Sequence, residues 1–111
     1  MTWTDFVLIC ADMKIIHDHI KAIEEELEGA KKYAEKYVTC KAKGHGDTAS
    51  TYKKMAHDEL DHAINVYDMA ADDIEHIESI YKLPEHEYEA WESMKRRYAE
   101  HIALVRQMLS I

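Results

Sequence analysis

Apolar and small side chains recur in alternating steps of three and four at Phe6, Ile9, Met13, Ile16, Ile20, Ile23, Leu27, Ala30, Ala34 and Tyr37. That period belongs to a helix, and its persistence predicts one long amphipathic helix over about residues 4–42. Gly29 falls inside it at a cost of about 1 kcal/mol relative to alanine, so a packing constraint is expected there. Gly44 and Gly46 mark a turn, with Asp47 or Thr48 as the expected N-cap of a second helix over about residues 47–82. Its inward positions are Tyr52, Ala56, Glu59, Ala63, Val66, Ala70, Asp73, Ile77 and Ile80. Pro84 is expected in the first turn of a third helix over about residues 84–110, where Glu85 and Glu87 favour the N-terminal dipole. There the inward positions are Tyr88, Trp91, Lys95, Tyr98, Ile102, Val105 and Leu109.

Short turns make consecutive helices antiparallel. The expected fold is all-α: a single domain over residues 1–111 in which a long antiparallel helical hairpin of about 50 to 60 Å carries a third helix in up-down-up order. So long a hairpin seldom covers both of its faces, and a homodimer or higher homo-oligomer is expected. With 111 residues, 47% of them hydrophobic, the chain has room for one globular domain. Its net charge of −8 repels phosphate backbones and anionic lipid and gathers cations, which argues against nucleic acid and membrane partners. The longest apolar run, residues 6–11, is too short to span a bilayer, and no secretion signal is apparent, so a cytoplasmic location is expected. Cys10 and Cys40 form no CxxC pair and read as reduced thiols, with Cys10 as buried filler.

Two of the inward positions hold acids. A carboxylate in a helical seam costs several kcal/mol unless it is paired, hydrogen-bonded or bound to a metal. Glu59 is followed three residues later by His62, on the same helical face, so that an oxygen and an imidazole nitrogen can meet one cation. Across the turn near Gly44, Glu26 lies level with His62, and Tyr33 follows two turns along Glu26's stripe. A lone glutamate on one helix and an E-x-x-H on the next make half of the ligand set that di-iron carboxylate bundles use.

These residues lie in recognisable surroundings. The stretch AKGHGDTASTYKKMAHDELDHA, residues 42–63, resembles the segment joining the first two helices of rubrerythrins, and EELEGAKKYAEKYV, residues 25–38, resembles the first helix of encapsulated ferritins. The resemblance to this ferritin-like superfamily implies iron ligands at Glu26, Glu59 and His62, with Tyr33 beside them in the catalytic group. It implies that Glu25 and Glu28 line the approach of iron, and it adds a protein compartment as a second location. Those families complete the site with a second half. Here no second E-x-x-H exists, since Glu100 and His101 are adjacent, so the resemblance implies a ferritin-like four-helix-type bundle completed by dimerisation. The di-iron site would be shared between two chains. The implied activity is ferroxidase chemistry, an oxidoreductase taking Fe(II) with oxygen or peroxide for iron handling and storage. Without a CxxC electron donor, iron oxidation is expected ahead of peroxide reduction, and residues 106–111 offer no flexible tail for docking in a shell.

Plainer readings stand beside these. Glu59 and His62 also fit a solvated helix face, Tyr33 a packed aromatic, and Glu25 and Glu28 an acidic face with Lys32 in reach of Glu28. The opposing function is a structural or interaction module with a structural or vestigial metal half-site, and other divalent metals fit the same ligands. Two heptads from Glu26, Glu59 and His62 lie Asp12, Asp73 and His76, with His19 midway. They suggest a weaker second cation site about 21 Å along the hairpin, or charges at a solvated bundle end.

Overall fold

The computed structural model describes residues 1–111 and consists of three helices, α1 (Trp3–Ala42), α2 (Gly46–Glu78) and α3 (Glu85–Leu109), with no strand. At its start, α1 carries a capping box: Thr2 Oγ1 accepts from Asp5 N–H while Asp5 accepts from Thr2 N–H, both at 3.0 Å. Its end is a Schellman turn, in which Gly44, at φ +79°, takes the left-handed conformation that a side chain would oppose. His45 N–H then reaches Cys40 O at 2.9 Å and Gly44 N–H reaches Lys41 O at 3.1 Å.

Three boundaries differ from expectation. His45, not Asp47 or Thr48, is the N-cap of α2, without a side-chain cap; Asp47 lies in the first turn, where its charge meets the dipole. The second helix stops at Glu78 because the chain turns away to bury Leu83 and to let the Tyr81 hydroxyl donate to Asp12 at 3.1 Å. Pro84, extended at ψ 146°, stands before α3 as its N-cap and accepts from Tyr88 N–H at 3.0 Å.

Interhelical partners on α1 and α3 rise together in number, His17 with Glu87 and Glu24 with Arg97, so α3 runs parallel to α1 and the order is up-down-up. The result is a rod of 64 × 19 × 17 Å. Its core is thin: alanines 30, 34, 49, 56, 63 and 70 let α1 and α2 approach closely, and Ile16, Ile23, Ile74 and Met94 fill the remaining space. Between α2 and α3 the main link is aromatic, with Tyr67 stacked on Trp91 at 5.5 Å and on Tyr98 at 3.8 Å between centroids.

Several expected core positions are instead on the surface. Phe6, Ile80 and Tyr88 are exposed, as is Cys10, which is therefore no core filler. Asp73 is exposed and Ile74 takes its slot, while Met94 rather than Lys95 is buried. A one-residue step turns about 100° around a helix, so in a rod with so little interior small errors of register move a side chain from core to solvent.

Candidate metal centre

The same register argument places Glu59 at the rim of the α1–α2 seam, with Leu60 in the core beside it. Its carboxylate lies over Gly29: a Cβ built on that glycine would come within 3.0 Å of Glu59 Oε2 and 3.4 Å of Cδ. The mid-helix glycine thus faces the flexible end of the Glu59 side chain. Across from it, Glu26 Oε2 stands 3.6 Å from His62 Nδ1. One ligand atom each from Glu26, Glu59 and His62 lies within 4.8 Å of the other two. The three sequence-predicted ligands are thus gathered by one hairpin, Glu26 from α1 and the others from α2.

The electrostatics of this group favour a cation. The Glu59 carboxyl is pushed up to about 7, first by a hydrogen bond with Glu26, then by burial and by the Glu26 charge; Asp58 adds to the rise and His62 opposes it. Two carboxyls this close share a proton unless a positive ion takes its place. The donor set, two carboxylates and one imidazole, suits Fe(II), Mn(II) or Zn(II).

A pH dependence follows. Between the ordinary glutamate value of 4.5 and about 7, the folded chain keeps a proton that the unfolded chain releases, so stability falls as pH rises through that window and is level above it. Below 4.5 both states are protonated and stability is level at its higher value. With water reaching the pair, the expected loss is about 1 kcal/mol. Urea midpoints of the metal-free protein at pH 5 and pH 8 test this: Glu59→Gln is expected to remove that part of the decline, and an unchanged difference between the two pH values would contradict it.

Tyr33 stacks on Tyr52 at 6.2 Å, with Lys36 Nζ 5.9 and 5.3 Å from the two rings. The pair lies two turns along the hairpin from the carboxylates, about 10 Å in helix rise. Tyr52 and Lys36 were not legible as its partners, because only the pairing of the two helices brings them together. Glu25 is exposed, and Glu28 turns toward α3, where it lines a cavity of about 210 Å³ with Arg97 and His101. Glu28 therefore does not border the Glu26–Glu59 face. Nor does a second cluster form from Asp12, Asp73 and His76. Asp12 accepts from the Tyr81 hydroxyl, and Asp73 Oδ2 accepts from His19 Nε2–H at 2.8 Å.

Glu24, which meets Arg97 of α3, is two residues and hence about 200° from Glu26 around α1. The metal-type cluster consequently occupies the hairpin face turned away from α3. No helix is long and apolar enough to cross a membrane. No protein family, curated protein or solved structure matches this chain.

Proposed function

We propose that the chain is a ferritin-like ferroxidase that works as a dimer, two copies facing their Glu26, Glu59 and His62 toward each other to take up Fe(II) as substrate. The observation that carries this reading is the convergence of three ligand atoms on a face that α3 leaves uncovered. The same face carries exposed apolar residues further along the rod. Leu8 and Ile15 lie on Glu26's stripe, Met69 and Ile80 on that of His62, and all four are exposed. A two-fold axis through the face would bury them and double the ligand count.

In such a dimer Glu26, Glu59 and His62 of each chain would hold the cations, with Glu59 giving up its proton to do so. Two Fe(II) ions supply two electrons, enough to take oxygen to hydrogen peroxide or hydrogen peroxide to two waters, with two protons drawn from solvent. Metal-free protein mixed with Fe(II) in air is expected to oxidise it with saturation at one iron per chain. An oxidation rate equal to that in buffer would overturn the activity.

The exposed stripe of Leu8, Ile15, Met69 and Ile80 favours a second reading, a helical interaction module whose half-site holds a structural ion such as zinc. Uptake of metal without oxidation of Fe(II) would select it.

A further inference from the structure

A second group of ligand-type side chains converges on the other side of α1. His17 Nε2 stands 3.4 Å from Glu87 Oε1, and His86 Nδ1 stands 3.8 Å from the same oxygen. One ligand atom from each of the three lies within 4.8 Å of the others, and the two imidazoles stack with centroids 6.3 Å apart. His17 and Glu26 are separated by about two and a half turns of helix, or about 14 Å, which puts them on opposite sides of α1. The two clusters are separate.

We propose that His17, His86 and Glu87 form a binding site for a divalent cation of the zinc class, which clamps the start of α3 to α1. Two imidazoles and one carboxylate suit zinc, cobalt or nickel; calcium and magnesium prefer oxygen alone. Ligands held about 2.0 to 2.1 Å from a tetrahedral ion lie about 3.3 Å from one another. The His17–Glu87 separation is already of that size, and the His86–Glu87 separation exceeds it by a few tenths of an ångström. Glu87 is the fixed member, its side chain 15% exposed, whereas the two imidazoles are at the surface and free to close on an ion. Three protein ligands leave a fourth position for water.

The position has a structural consequence. The first turn of α3 would repel a cation through its dipole, but Glu85 and Glu87 stand in that turn and reverse the local sign. Without a metal, the polar link between this end of α3 and α1 is the His17–Glu87 pair, a weak contact in water that adds little to the burial of Leu83 and Trp91. An ion shared by the two helices would replace it with coordination bonds and strengthen the docking of the start of α3.

The test uses the full chain, free of any histidine tag, carrying Glu26→Ala, Glu59→Ala and His62→Ala so that the first cluster cannot contribute. Zn²⁺ is expected to raise its Tm, and Co²⁺ to bind at one per chain with the intense visible bands of four-coordination. Adding His17→Ala or His86→Ala should weaken binding at least about tenfold, whereas adding His45→Ala and His57→Ala should leave it unchanged. In the otherwise unaltered chain, His17→Ala with His86→Ala should remove one equivalent of bound Zn²⁺, which keeps the test valid if the triple variant folds poorly. Zinc binding that is indifferent to His17 and His86, or no zinc binding by either protein, would overturn the site.

Discussion

Glu59→Ala is expected to slow protein-dependent Fe(II) oxidation by at least about 100-fold, to abolish metal-dependent dimerisation, and yet to leave the metal-free fold intact. The reason lies in the two roles of the carboxylate. In the proposed centre Glu59 would be one of three ligands per chain, so its deletion would remove a donor from both halves of a symmetric site. As a side chain of the metal-free protein it is a liability, crowded against Glu26 and pushed up to about 7. Truncation relieves that crowding, so above pH 7 the variant should be more stable than the parent by about 1 kcal/mol. Stopped-flow absorbance in the near ultraviolet measures the first effect and urea unfolding at pH 8 the second. Loss of stability with retained iron oxidation would mean that Glu59 is a structural residue.

Gly29→Ala should separate the same two properties from the opposite helix. An alanine in the middle of α1 improves helix propensity by about 1 kcal/mol, which for a chain of this size raises the Tm of the metal-free protein by about 4 °C. Its Cβ, however, would stand 3.0 Å from Glu59 Oε2. The carboxylate is the end of a flexible side chain and can retreat by a few tenths of an ångström, but it then leaves the position from which it meets Glu26 and His62. Metal affinity is expected to fall about tenfold. Calorimetric titration alongside thermal unfolding reads both quantities. A more stable variant with unchanged affinity would show that the glycine is not kept for the carboxylate.

The helices were legible because long runs of threes and fours leave little choice of structure, and the turn at Gly44 shows in the sequence as a glycine where φ is positive. Legible too was the proximity of Glu26, Glu59 and His62, since a hairpin of known turn position fixes which residues lie level. Fine register was not. Asp73 and Lys95 sit one residue from Ile74 and Met94, and the repeat alone does not say which of two neighbours enters so narrow a core. Asp12, Asp73 and His76 follow the repeat of the first cluster, but Tyr81 and His19 claim two of them through contacts between elements that no local pattern reveals. The His17–His86–Glu87 group escaped for a related reason. His86 and Glu87 are adjacent in sequence, where helical geometry sets side chains apart, and only the docking of α3 beside His17 makes them converge.

The central claim is that one hairpin supplies half of a metal centre and a second copy supplies the rest. Its most direct test is the mass of the protein in solution, by sedimentation or light scattering, for the metal-free chain and for the chain given one equivalent of Fe(II) without oxygen. The expected result is a rise to the mass of a dimer with one metal per chain, absent in Glu59→Ala. Metal bound at full stoichiometry to a monomer, or a dimer indifferent to both metal and Glu59, would contradict the shared centre.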